Sequence, residues 1–178
     1  MANLADLFST FVNANKPKDP NKKEYSDIIT FIEAPWGLSE TLWPYQKFLL
    51  KLFYGVPLSD KREPIELDGK HYNGIPIYDK DMHQCLYELS EVEFLKYLYD
   101  HGQSNFKEQP DKVLSELVMA IGRRGSKSTM SAYISCYEIY KLLSRYNPHE
   151  YYRMSTASTI SITVVATSST QAEGLYKV

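Results

Sequence analysis

The sequence predicts an α/β fold. Its core is a βαβ unit with a parallel sheet in the last third of the chain, preceded by a helical N-terminal region and a small β excursion. Three observations carry that prediction. Leu117-Val118-Met119-Ala120-Ile121 is an unbroken apolar run, the pattern of a parallel strand buried on both faces. The glycine-bearing loop Gly122-Arg123-Arg124-Gly125-Ser126-Lys127-Ser128-Thr129 follows at once. A helix then reaches about Arg145, with Met130, Tyr133, Ile134, Tyr137, Ile139 and Leu142 spread over most of its faces, so it reads as largely buried. Thr159-Ile160-Ser161-Ile162-Thr163-Val164-Val165-Ala166 supplies a second, β-branched strand. Strand, loop, helix, strand is a βαβ unit, whose crossover is right-handed.

The elements before it follow in order. Leu4, Leu7, Phe8, Phe11 and Val12 recur at helical spacing and predict an amphipathic helix over 2–14. Lys16-Pro17-Lys18-Asp19-Pro20-Asn21-Lys22-Lys23 is a polar, proline-broken linker. A second helix covers Glu24 to Glu33, where Ala34-Pro35-Trp36-Gly37 breaks it. A third starts near Pro44, a proline tolerated in a first turn, and runs through Gln46, Leu49, Leu50 and Phe53 to Gly55. From Val56 to Asp81 the turn dipeptides Asp68-Gly69 and Asn73-Gly74, with Ile65-Glu66-Leu67 and Ile75-Pro76-Ile77-Tyr78 around them, predict a hairpin-like excursion. Ser90-Glu91-Val92-Glu93 matches a capping box and opens a helix carrying Phe94, Leu95 and Leu98 to a stop near Gly102. Asn147-Pro148 ends the long helix, and Thr170-Gln171-Ala172-Glu173 reads as the first turn of another. The organisation is 1–55, a helical region; 56–110, the excursion and its helix; and 111–178, the first part of the α/β core.

Composition narrows the function. With 43% hydrophobic and 24% charged residues in 178, the chain is an ordinary globular sequence rather than a disordered or fibrous one. Lys+Arg 20 against Asp+Glu 22 leaves a net charge of -2, so a nucleic-acid contact has to be local, not a matter of bulk charge. Two cysteines, Cys85 and Cys136, form no disulfide framework and lack metal-ligand spacing; they read as buried thiols in a reducing compartment. No secretory signal and no apolar stretch of about 20 residues is evident, so a soluble intracellular protein, without membrane contact, is expected. Asp79, Asp81 and His83 stand close in a loop without convincing metal geometry.

The loop carries the chemistry. Holding phosphate needs glycines that let backbone N–H groups close around its oxygens, a lysine for the outer phosphates and a hydroxyl for Mg²⁺. Lys127 and Ser128 fill the last two roles, and Gly122 stands five residues before Lys127. The departure is Ser126, where the pattern has glycine; a Cβ carried through this turn costs about 1–3 kcal/mol if its φ is positive. With a strand before and a helix N-terminus after, where the helix dipole favours an anion, the loop reads as that of a P-loop NTPase core; the alternative is a Gly/Ser-rich strand-to-helix turn whose Arg and Lys merely face solvent. Arg123 and Arg124 read either as surface charges or as guanidinium groups aimed at a triphosphate.

The stretch Ala120 to Thr129 resembles the arginine-bearing Walker A loop of tailed-phage terminase large subunits, the ATPases that pump viral DNA into a procapsid. The stretch Trp43 to Gly55 resembles the family's proline–glutamine segment, and Ile162 to Ala172 its strand and turn after the Walker A helix. The resemblance covers residues 35–178 with gaps. It implies that ATP and Mg²⁺ are bound by Gln46, Gly122, Arg123, Arg124, Gly125, Ser126, Lys127, Ser128 and Thr129. Lys127 would sit on the β/γ-phosphates, Ser128 on Mg²⁺, Arg123 at the γ-phosphate as a catalytic arginine in cis, and Gln46 on the adenine. Read alone, Gln46 is a polar position on an amphipathic helix, and Gln171 and Ser168–Thr170 are equally helix caps. The resemblance also implies double-stranded viral DNA, a portal protein and a terminase small subunit as partners. It further implies a homo-oligomeric ring and a place in the host cytoplasm at the procapsid portal. No Walker B strand ending in Asp-Glu follows residue 127, so the chain reads as a truncated N-terminal segment of such a motor, its nuclease domain lying beyond. The alternatives are another P-loop ATPase such as a helicase, or a non-catalytic nucleotide-binding or assembly module.

Overall fold

The computed structural model describes residues 25–67, 69–79, 81, 84–119, 126–145, 147–161 and 163. Two compact units divide the chain, one of residues 27–118 and one of residues 1–26 with 119–178.

In the first unit, α1 (Ile28–Glu33) is set by Asp27, whose carboxylate accepts from the backbone N–H groups of Ile29 at 2.9 Å and Thr30 at 3.0 Å. That cap is why the helix expected over 24–33 begins only at Ile28. Helix α2 (Pro44–Tyr54) has its proline in the first turn and ends at Gly55, whose φ of 67° is the left-handed cap that a glycine adopts without strain. Lys47 on α2 reaches Glu33 on α1 at 2.8 Å.

The excursion holds two hairpins rather than one. Strand β1 (Pro64–Leu67) pairs antiparallel with β2 (Lys70–Asn73), Leu67 opposite Lys70, with Gly69 in a turn between them; Asp68 lies outside the described residues. Strand β3 (Ile75–Tyr78) pairs antiparallel with β4 (Cys85–Leu89), with an irregularity at Ile77/Tyr78. Asn73-Gly74 is therefore the joint between hairpins and not a hairpin turn. Gly74, at φ 111°, passes so close to β4 that a Cβ there would lie 2.4 Å from the Leu89 carbonyl oxygen.

Helix α3 (Glu91–Asp100) opens with the expected capping box: the Ser90 N–H donates to Glu93 at 2.8 Å, and the Glu93 N–H donates to Ser90 Oγ at 3.2 Å. One core cluster of this unit is Phe48, Ile75, Phe94 and Leu95, with the Phe48 and Phe94 rings edge-to-face at 4.8 Å; Ile28, Ile32 and Leu50 are fully buried as well. Gln109 ties the segment after α3 back to the end of α2, donating to the Val56 carbonyl at 2.6 Å and accepting from the Leu58 N–H at 2.9 Å.

In the second unit, α4 (Lys127–Ser144) is the long helix that the sequence predicts. It buries Met130, Ala132, Tyr137 and Tyr140, while Ile139 and Leu143 stand about half exposed, so it is buried along one face instead of most. Tyr137 Oη donates to the Ser26 carbonyl at 3.0 Å, and the Ser26 N–H donates to Tyr140 Oη at 3.2 Å. A short helix, α5 (Pro148–Tyr151), is capped by Asn147.

The parallel sheet is not seen among the described residues. Each described strand belongs to a hairpin, and connections this short can join only antiparallel neighbours. Residues 117–119 of the expected first strand are not in a strand, and Val118 is 81% exposed, the opposite of burial on both faces. Residues 159–161 and 163 are not in a strand either; the rest of that expected strand, Ala120 and Ile121, and the helix expected over 2–14 lie outside the described residues. Both cysteines are free, but Cys136 is exposed and Cys85 only half-buried, which corrects their reading as buried thiols.

Candidate nucleotide-binding site

Of the loop, Ser126, Lys127, Ser128 and Thr129 are described; Gly122, Arg123, Arg124 and Gly125 lie outside the described residues. Ser126 has φ 58° and ψ 23°, a left-handed conformation. This is the residue at which the phosphate-loop pattern calls for glycine, and the backbone there is glycine-like although the side chain is not. Holding an L-residue so costs about 1–2 kcal/mol.

Ser126 also caps α4 by position without doing so by side chain: it makes no side-chain cap hydrogen bond. The first rung of the helical ladder is the Met130 N–H to the Ser126 carbonyl at 2.9 Å, so the N–H groups of Lys127, Ser128 and Thr129 precede the ladder. The first turn holds no acidic residue. An 18-residue helix with an uncapped, acid-free N-terminus concentrates a positive partial charge there. Lys127 and Ser128 are exposed at this point. Backbone donors, an ammonium and a hydroxyl thus converge where an anion is favoured.

Gln46 lies in the other unit, in the first turn of α2, where its Oε1 accepts from the Trp43 N–H at 3.0 Å. The side chain assigned to adenine therefore caps the backbone at the start of α2. A glutamine three residues after the N-cap, with proline between, is the signal that could have shown this. Its neighbour Tyr45, though 40% exposed, donates to the Pro76 carbonyl and packs 5.7 Å from the Phe94 ring. Burial, helped by Cys85, raises its phenol above the ordinary range. Among the described residues no three His, Cys, Asp or Glu are grouped to hold a metal. Asp79 accepts from the Gln84 N–H at 3.3 Å, and His83 lies outside the described residues.

At the far end of α4, Arg145 is a feature that the sequence does not announce. Its guanidinium is buried against the rings of Tyr151 at 3.7 Å, Tyr152 at 4.8 Å and Tyr25 at 5.9 Å, and donates to Tyr152 Oη. It anchors the helix end about 27 Å from Lys127 along the axis, so it takes no part in the loop.

A loop of this sequence at the start of a long helix defines a P-loop domain, the class that binds nucleotide phosphates. The chain belongs to the family described as "Uncharacterized protein MJ0330, N-terminal P-loop domain", whose model matches residues 4–177. No curated protein and no solved structure matches it significantly. Among the described residues no helix is long and apolar enough to cross a membrane.

Proposed function

We propose that this domain binds ATP·Mg²⁺ at the N-terminus of α4 and serves as the nucleotide-binding part of an ATPase. The observation that carries the proposal is the left-handed Ser126 immediately before Lys127, at a helix N-terminus with neither side-chain cap nor acid. In this reading the N–H groups of Lys127 to Thr129 and the backbone of Gly122 to Gly125 surround the phosphates. Lys127 neutralises the outer ones and the Ser128 hydroxyl ligates Mg²⁺, which would shield the phosphate charge when bound. Arg123 stabilises charge at the γ-phosphate during hydrolysis.

The finer reading is that the parent protein is a DNA-packaging motor, coupling hydrolysis to translocation of double-stranded DNA as a ring of subunits at a portal, with a small subunit as partner. Its support is the order and spacing of the three segments beginning at Trp43, Ala120 and Ile162. The helicase alternative shares the loop and the upstream glutamine; a strand-separating activity without portal binding would favour it.

Titrating the chain with ATP·Mg²⁺ tests the first step. Binding that Lys127→Ala abolishes is the expected result, and unchanged affinity in that variant overturns the assignment. Arg123→Ala is expected to keep the affinity and slow hydrolysis.

A further inference from the structure

The unit of residues 27–118 encloses a cavity of about 510 Å³ that the nucleotide reading does not use. Sites for small ligands and peptide side chains span about 300–1,000 Å³. One wall is Glu63-Pro64-Ile65-Glu66, most of β1; another is Thr41-Leu42-Trp43-Pro44, which enters α2 in extended conformation; Ile75 and Leu89 also line it.

The register shows which backbone groups face this space. Leu67 pairs with Lys70 across a two-residue turn, and the Gly74 N–H donates to the Glu63 carbonyl at 2.9 Å. In an antiparallel pair the hydrogen-bonded positions alternate, so residues 63, 65 and 67 bond toward β2, while Pro64 and Glu66 turn their backbone outward. Proline is tolerated at such an outward position, since it withdraws no ladder donor. The Pro64 carbonyl and the Glu66 N–H and carbonyl therefore form an open sheet edge. No residue of β2 lines the cavity, while Gly74, just after it, does.

Charge narrows the occupant. Of the lining acids, Glu33 is neutralised by Lys47 at 2.8 Å and Glu91 by Lys51 at 2.7 Å. Among the described residues Glu63 and Glu66 form no ion pair, and Lys61 is the one lining cation besides Lys47, so the described lining carries an excess of negative charge. The Trp43 ring, 49% exposed, adds an aromatic surface favourable to a cation.

We propose that this cavity is a strand-addition site for an extended segment of a partner protein bearing basic side chains. Its backbone would continue the sheet at Pro64 and Glu66, with its cationic side chains on the face that carries Glu66 and the intervening apolar ones on the opposite face, beside Ile65. A second copy of this edge would set glutamates against glutamates, and a nucleic acid would set phosphates against them; both are disfavoured by like charge.

The test uses the full chain with Trp36→Phe, which leaves Trp43 as its single tryptophan. It is titrated with a capped alternating lysine–valine pentapeptide and with the glutamate–valine counterpart. The basic peptide is expected to shift the Trp43 fluorescence and to protect the Glu66 amide from hydrogen exchange. The acidic one should bind at least about tenfold more weakly. The variant Glu66→Gln, at an exposed position, should weaken the basic peptide by about tenfold. Four results would each overturn the proposal: no binding, equal binding of both peptides, binding without protection at Glu66, or protection that appears with protein concentration alone.

Discussion

Replacing Ser126 by glycine should stabilise the protein, although serine is ordinarily among the best residues to place before a helix. At φ 58° and ψ 23° the serine Cβ is held in the left-handed region, at a cost of about 1–2 kcal/mol. Glycine removes that cost and adds unfolded-state entropy worth about 0.4–1 kcal/mol against folding. No side-chain cap hydrogen bond is lost in the exchange. The balance favours Ser126→Gly by about 0.5–1 kcal/mol. Ser126→Ala keeps the strained Cβ and loses no cap bond, so it should be neutral to within about 0.5 kcal/mol, where an ordinary N-cap serine would lose about 1 kcal/mol. Urea unfolding followed by circular dichroism, with m compared between variants, measures both changes. A destabilised Ser126→Gly, or an alanine variant that loses a full cap contribution, would refute the left-handed conformation and the phosphate-loop geometry resting on it.

Gln46→Glu separates two roles of one side chain: a carboxylate still accepts from the Trp43 N–H and keeps that cap on the start of α2, but it removes the amide donor. Unchanged stability with weakened ATP binding is expected if the residue reads adenine; unchanged ATP binding would leave it a cap alone. The ion pair of Glu93 with Arg62, at 3.0 Å, and the Ser90 N–H hold the Glu93 carboxyl down at about 2, against an ordinary value of 4.5. A depressed folded-state value gives stability that is complete above 4.5 and lost as pH falls toward 2. Both partners are about half exposed, so salt screens the effect. Glu93→Gln, which retains the capping box, should flatten the acid limb of the stability profile in that window, and an unaltered limb would count against the pair. Gly74→Ala, which drives a Cβ to 2.4 Å from the Leu89 carbonyl oxygen at φ 111°, should cost about 2–4 kcal/mol in thermal unfolding. A loss below about 0.5 kcal/mol would mean that the two hairpins do not meet as described.

Local signals were the legible part of this fold. The Ser90 capping box, Pro44 at the start of α2, Gly55 at its end and the long helix after Lys127 each depend on a few neighbouring residues, and sequence shows these directly. The β excursion was legible as turns and short β-leaning pieces, but Asn73-Gly74 carries the same letters whether it closes a hairpin or joins two. Only the contact of Gly74 with Leu89, fifteen residues away, separates those cases. The apolar run at 117–121 has the pattern of a doubly buried strand, but periodicity cannot report what covers it, and Val118 is exposed. For the site, Lys127 and Ser128 stand at a helix N-terminus as their spacing implied, and the conditional reading of Ser126 met a positive φ. Gln46 shows the converse: its place in the first turn was visible, while its hydrogen bond to Trp43 was hidden behind a functional resemblance. Arg145 gives no local sign of burial, since its three tyrosines come from residues 25, 151 and 152.

The central claim is that phosphate meets the start of α4, and backbone amide NMR tests it most directly. On adding ATP·Mg²⁺, the amide resonances of Lys127, Ser128 and Thr129 should move markedly and saturate together, as their N–H groups take up phosphate oxygens. Saturable ATP binding that leaves those three resonances in place, or no binding at all, would contradict the account.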